Sequence, residues 1–349
     1  MDEEGFASRF ADATWHCEHH NPDLNYVGKF ALSELPRELD FKVVLTGEGS
    51  DEHFTGYHIY LPDYLREPDS SWDAGFSEDE RKRLLEDAEA ETSKYYSSIG
   101  ADGSNYSISP GRKKLNGIST VASMSAFIPP VFADWTTILS AKDPQDVIAD
   151  DIDADVLKKM QRKWHPVNTA QYVWSQRHLP NQFMSCLGDR TEMAHSIEGR
   201  TPFLDHHLTE YVNNIPPSLK MRWKGGKEFT AKYALREAMK PFVTPEIFEQ
   251  KKHVCIDMEL ERSAFSDGIQ PYSAPLAYAP GGPLYKLLDG LITEDNIAEL
   301  GFVSWEKVQD LVQRAFEKKE SLAFRLALVV AQWVVLSERF GIKPAARPS

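Results

Sequence analysis

Cysteine is nearly absent, with three in 349 residues, at Cys17, Cys186 and Cys255. An odd count at such wide spacing supports neither a disulfide framework nor a Cys-based zinc site, and it points to a reducing, cytoplasmic location. Excess positive charge is lacking as well. Lys and Arg number 39 against 53 Asp and Glu, a formal net charge of −14. That balance argues against a nucleic-acid or anionic-membrane surface, so an anionic substrate needs a local basic pocket. The opening residues, Met1-Asp2-Glu3-Glu4-Gly5, lack the basic and apolar regions of a signal peptide. The longest apolar run, Leu326 to Leu336, is interrupted by Gln332 and flanked by Arg325, Glu338 and Arg339, too short to cross a bilayer. What remains is 42% apolar and 26% charged, the balance of a folded soluble protein with one large core or two domains.

Chemistry concentrates between Phe41 and Tyr57. Val43-Val44-Leu45 is short, apolar and β-branched, which predicts a buried strand. It stops at Thr46-Gly47, and Glu48, Asp51 and Glu52 follow within a few residues. Ligands of open α/β sheets bind at this carboxyl edge of a strand. Gly47 and Gly49 let backbone approach a ligand. Dense carboxylates suit Mg²⁺, a hard cation that shares its oxygen ligands with phosphate. A polar strand-to-helix turn with an acidic helix start explains the same residues equally well.

Around this stretch the pattern is mainly helical. Phe6 to Ala13 suits a short amphipathic helix. His16, His19 and His20 have no matching Cys or acidic cluster at zinc spacing and read as a polar loop or a helix start. Asn21-Pro22 reads as a helix cap and first position, with Leu24, Val27, Phe30, Ala31 and Leu35 on the buried face and Pro36 disturbing its end. Residues 62–79 read as a loop, and Ser77 caps a charged surface helix reaching about Tyr96. Residues 100–117 and 271–283 read as loops. Asn168 to Cys186 has helical periodicity with a break at Pro180. Asp205 caps a helix through Val212, and Gly225-Gly226 precedes a basic helix from Lys227 to Lys240. Ser321 to Phe340 is a core helix. No other apolar run in the first half of the chain is as strand-like as Val43–Leu45.

A second polar cluster, Asp189 to Asp205, holds Asp189, Arg190, Glu198 and Arg200, and a third is Gln250-Lys251-Lys252-His253. Internal ion pairing accounts for the arginines, and a solvated face for the lysines. Read in order, however, these stretches resemble the glutamine-hydrolysing asparagine synthetase family. Gly47-Glu-Gly-Ser-Asp-Glu-His-Phe-Thr-Gly-Tyr57 is similar to its Gly-Glu-Gly-(Ala/Ser)-Asp-Glu-Leu-Phe-x-Gly-Tyr signature. Asp189-Arg-Thr-Glu-Met-Ala-His-Ser-Ile-Glu-Gly-Arg-Thr-Pro-Phe-Leu-Asp205 is similar to its Asp-Arg-x-x-Met-Ala-x-Ser-x-Glu-x-Arg-x-Pro-Phe-Leu-Asp. Pro216–Lys220, Tyr233–Ala238 and, loosely, Pro245–Cys255 continue the order. The motifs cover about residues 20–260, with closing helices to about 340.

The resemblance implies a mostly helical α/β fold, the C-terminal part of an adenine nucleotide α-hydrolase-like (PP-loop ATP pyrophosphatase) domain. It implies a carbon–nitrogen ligase that activates aspartate with ATP as β-aspartyl-AMP and lets ammonia from glutamine displace AMP. Carried over, Thr46 and Gly47 line ATP, Asp51 holds Mg²⁺, and Glu48 is the acid/base or orienting carboxylate. Lys252 neutralises charge during adenylation, with Lys251 competing for that place. Glu52, Asp189, Arg190, Glu198 and Arg200 build the substrate pocket or the layer behind it. Partners implied are aspartate, ammonia or glutamine, and a homodimer or a separate glutaminase chain.

The departures are specific. Residue 2 is Asp2 rather than the nucleophilic Cys that heads the family's glutaminase domain, and no Ser-Gly-Gly-x-Asp-Ser phosphate loop occurs. The expectation is therefore one partial synthetase domain over 1–349, without a glutaminase domain and missing its first strands, inactive as this chain alone. Residues 65–125 form an insertion without a readable motif. Alternatives are a ligase closing a β-lactam or another secondary-metabolite amide, for which Tyr211 and Glu198 make no obvious base pair, and a non-catalytic fragment.

Overall fold

A computed structural model describes residues 1–98, 109–121, 128–138, 142–249 and 281–347. Helix α1, Glu3–Cys17, begins where Asp2 Oδ1 accepts a hydrogen bond from Gly5 N at 2.8 Å. Glu3 and Glu4 occupy its first turn, where the helix dipole favours negative charge. It is longer than the expected Phe6–Ala13 and buries Phe6, Phe10, Ala13 and Cys17. Helix α2, Asn25–Glu38, starts later than Asn21-Pro22 suggests. Asn21 is no cap. Its backbone exchanges two 2.8 Å hydrogen bonds with the buried Gln332 amide, and burial overrides its capping preference. Leu24, Val27 and Phe30 are buried as their spacing predicts, whereas Leu35 is exposed.

The main core joins α1 and α2 to the helices Pro283–Leu291, Glu294–Leu300, Trp305–Phe316 and Ser321–Phe340. The last helix has 20 residues, more than its central apolar run suggests, and is long and apolar enough to cross a membrane by length and composition. Here it is a core element, buried from Leu322 to Val335 except at Trp333. A second core gathers Tyr60, Tyr64, Leu65, Leu84, Leu115, Ile118, Met160 and Val167. It includes the helix Tyr60–Leu65, so part of the stretch expected to be loop is helical. It also receives one face of Glu78–Ser98, which Ser77 and Glu80 cap reciprocally.

Pro166–Val173 is α-helical, and the chain continues through Pro180 to Arg190 as a 17-residue π-helix, where a break is expected at the proline. The wider π winding removes the need for a sharp stop. Among the described residues strands are few and short. β1, Val43–Leu45, pairs in parallel with β2, Glu198–Arg200, in the register Val43↔Glu198, Val44↔Gly199, Leu45↔Arg200. β2 is too polar to have been legible as a strand. β1 is not buried, for Leu45 is 74% exposed. Gly225-Gly226 does not lead into a helix but turns an antiparallel hairpin, β3 (Arg222–Gly225) to β4 (Glu228–Thr230). Both glycines have positive φ, +109° and +57°, which the turn requires. The helix that follows starts only at Tyr233.

Candidate active site

The site forms at the carboxyl end of β1. Thr46 N donates to Arg200 O at 2.8 Å and extends the parallel ladder by one bond. The chain then leaves the strand through Gly47, which is exposed and has open space where a side chain would project. Gly49 has φ +94°, and a Cβ there would strike the Leu204 side chain, so only glycine fits. It leads into the one-turn helix α3, Ser50–His53.

Glu52 holds this turn rather than facing a substrate. It is 1% exposed, its Oε2 accepts from Gly49 N at 3.0 Å, and its Oε1 accepts from Tyr57 OH at 2.6 Å. Burial pushes its carboxyl above the usual value, opposed by the Tyr57 hydrogen bond. Gln171 closes the other end of α3, its Nε2 donating to the carbonyls of Glu52 and His53 at 2.7 and 2.8 Å. Gln171 Oε1 in turn accepts from buried Lys220 Nζ at 3.0 Å. Desolvation brings the Lys220 ammonium down to about 8.

Two half-buried carboxylates each meet a lysine from elsewhere in the chain. Glu48 Oε1 lies 3.2 Å from Lys29 Nζ on α2. Asp51 Oδ2 lies 2.9 Å from Lys232 Nζ, which also donates to Ser50 Oγ at 2.9 Å. Gly56 gives the Asp51 carboxylate its room, since a Cβ there would collide with it. A third carboxylate, Glu192, lies against Gly199 of β2, where a Cβ would displace it. Burial raises the Glu192 carboxyl, the Lys29 charge opposes this, and Glu48 and Asp189 reinforce it.

Of the residues singled out from the sequence, Thr46, Gly47, Glu48 and Asp51 share one turn. Among the described residues the buried Thr46 Oγ1 has no hydrogen-bond partner, an orphan of the kind a ligand satisfies. Arg190 lies apart, donating through Nη1 to Cys17 O at 2.5 Å and pairing with Glu18 at 3.2 Å, so it braces the end of α1. Asp189 is exposed on the π-helix. Glu198 and Arg200 pair with each other at 2.7 Å on the exposed face of β2, and Glu198 is thereby engaged by Arg200. Lys251 and Lys252 lie outside the described residues. Lys29, Lys232 and Glu192 escape the sequence reading because their partners are distant. Lys232 stands 182 positions from Ser50, and no local pattern reports such a contact.

The donor chemistry suits a nucleotide and a phosphate-bound cation. Among the described residues no three His, Cys, Asp or Glu side chains gather as a metal cage. Asp51, one carboxylate beside an open backbone turn, fits the Mg²⁺ mode in which phosphates and water supply most ligands.

The family model for asparagine synthase matches residues 1–336. Among curated proteins, Amidase chry2 of Gibberella zeae is 42% identical over 348 residues, 99% of this chain and 49% of that protein. Amidase chyE of Penicillium rubens is 41% identical over 349 residues, again 99% and 49%. A putative glutamine-hydrolyzing asparagine synthetase of Mycobacterium tuberculosis is 26% identical over 254 residues, 71% of this chain and 34% of that protein. The chain spans about half the length of the first two relatives, 49% in each case. No solved structure matches.

Proposed function

We propose that this chain, which belongs to the asparagine synthase family, carries the carboxylate-activating site of an ATP-dependent amide ligase. In this reading a substrate carboxylate, in the simplest case that of aspartate, attacks the α-phosphorus of ATP. Pyrophosphate leaves, and ammonia drawn from glutamine displaces AMP to form the amide. The supporting observation is the convergence of orphaned Thr46 Oγ1, open Gly47 and two lysine-paired carboxylates at the end of β1.

The side chains divide the work. Thr46 Oγ1 hydrogen-bonds the nucleotide, and Gly47 gives it backbone at close range. Lys29 holds the Glu48 carboxylate in place, and Glu48 takes the proton that the attacking ammonia must lose. Asp51 would hold Mg²⁺, which offsets the pyrophosphate charge when bound, and Lys232 fixes Asp51 beforehand. Glu52 sets the angle of the turn. Lys252, or Lys251 beside it, compensates charge on the reacting phosphate.

We read β1 and β2 as strands of a PP-loop-type nucleotide sheet, within one partial synthetase domain over 1–349 that carries an insertion at 65–125. Their parallel pairing and the exposed Leu45 support this, since parallel strands normally lie covered on both faces. The 349 residues contain no Ser-Gly-Gly-x-Asp-Ser segment, and the proposal takes this chain by itself as inactive. A cytoplasmic location, and a homodimer or a separate glutaminase partner, complete the proposal.

A second reading keeps the reaction and changes the acid. The relatives named amidases favour a carboxylic substrate other than aspartate. Both readings are tested with the full natural polypeptide, ATP, Mg²⁺, ammonia and a panel of amino and hydroxy acids. AMP and pyrophosphate should appear in equal amounts with one acid, and steady turnover should be lost in Glu48→Ala. ADP and inorganic phosphate as products would overturn the proposal. The responding acid separates the two readings.

A further inference from the structure

Two buried thiols lie away from the candidate active site. Cys17 is the last residue of α1, Cys186 lies in the π-helix, and both are fully buried. Cys17 Sγ donates to Cys186 O at 3.4 Å. Cys186 Sγ accepts from Asn21 Nδ2 at 3.0 Å. Asn21 is itself held by Gln332 through two backbone hydrogen bonds and by the Gln182 amide at its side-chain oxygen. The exposed His19 imidazole, whose Nδ1 lies 2.5 Å from His20 O, acts electrostatically on Cys186.

Inert core cysteines sit among apolar side chains. Here an amide N–H meets the Cys186 sulfur, and the Cys17 thiol reaches the carbonyl of the same residue. We propose that Cys17 and Cys186 form a redox-modifiable thiol pair, closed to a disulfide by a small disulfide oxidant such as oxidised glutathione. The Cys186 thiolate attacks one sulfur of the oxidant and releases one glutathione thiolate. Cys17 then loses its proton and attacks the Cys186 sulfur of the mixed disulfide, and the second glutathione leaves as thiolate. Two protein thiols are oxidised, one glutathione disulfide is reduced, and the two protons end on the two glutathiones.

The charge pattern suits this order of attack. The Cys17 thiol, His19 and Asn21 hold the Cys186 thiol well below its usual value, while the interaction with Cys186 and then burial hold Cys17 above it. Access requires opening of the corner after α1, where Glu18 and His19 are exposed. Closure ties that corner, which also carries the carbonyl and carboxylate that hold Arg190, to the helix leading into Glu192.

The test uses the full protein carrying Cys255→Ser, which removes the third thiol of these 349 residues. It is equilibrated folded with graded ratios of oxidised to reduced glutathione, acid-quenched, unfolded, alkylated and mapped by mass spectrometry. A Cys17–Cys186 cross-linked peptide should grow with the oxidised share and disappear with dithiothreitol, and the oxidised form should melt at higher temperature. Adding Cys17→Ser should stop the reaction at a glutathione adduct on Cys186. Free, alkylated Cys17 and Cys186 at every ratio would overturn the proposal, as would a cross-link that forms only when denaturant is present during oxidation.

Discussion

Replacing Glu52 by alanine removes two hydrogen bonds at once. The carboxylate accepts from Gly49 N at 3.0 Å and from Tyr57 OH at 2.6 Å, within a side chain that is 1% exposed. The backbone cap is worth ~1 kcal/mol, and the bond from a neutral hydroxyl to a charged acceptor ~2 kcal/mol. Urea unfolding should therefore show Glu52→Ala destabilised by ~3 kcal/mol. Glu52→Gln retains an acceptor for Gly49 N and should lose much less. The pH dependence has a definite sign. Burial raises the folded-state Glu52 carboxyl above its usual 4.5. Protonated Glu52 therefore favours the folded state, and that contribution fades as pH rises through the raised value. The stability of Glu52→Gln relative to wild type should improve over the same rise. Glu52→Ala within ~0.5 kcal/mol of wild type would refute a structural role for this carboxylate. So would a difference between Glu52→Gln and wild type that does not change with pH.

Gly49→Ala should destabilise by ~2 kcal/mol through strain at φ +94° and collision with Leu204, read from the same unfolding curves. Lys29→Met should change stability by less than ~1 kcal/mol, because the pair with Glu48 is half exposed, yet it should lower amide formation in a product assay. Lys220 is held at about 8 in the folded state against 10.5 ordinarily. The unfolded chain thus binds more protons between those values, and stability should rise there with pH. Lys220→Met should lack this rise in unfolding curves collected across that window.

The sequence makes some of this legible and hides the rest for physical reasons. The Gly47–Tyr57 turn is readable because positive φ at Gly49 and the space beside Asp51 both demand glycine, which leaves a fixed pattern. The Asp205 cap, with Oδ1 accepting from His207 N and Leu208 N, and the Ser77–Glu80 capping pair are local and equally plain. Glu52 has the same side chain as Glu48, and only burial separates cap from site. β2 has no apolar alternation, because Glu198 and Arg200 face solvent and pair with each other. Its strand character comes from β1. The π-helix passes Pro180 without a break, so proline alone misleads. Asn21 has the residue type of a cap and a core amide as its partner 311 positions away.

The proposed reaction makes one bond that no competing scheme makes, between a substrate carboxylate oxygen and the α-phosphorus of ATP. The responding acid, prepared with heavy oxygen in its carboxylate, is turned over by the full protein with ATP, Mg²⁺ and ammonia, and the phosphate-containing products are weighed. Acyl-adenylate formation predicts one heavy oxygen in AMP and none in pyrophosphate. Heavy oxygen in inorganic phosphate, or an unlabelled AMP, would contradict it.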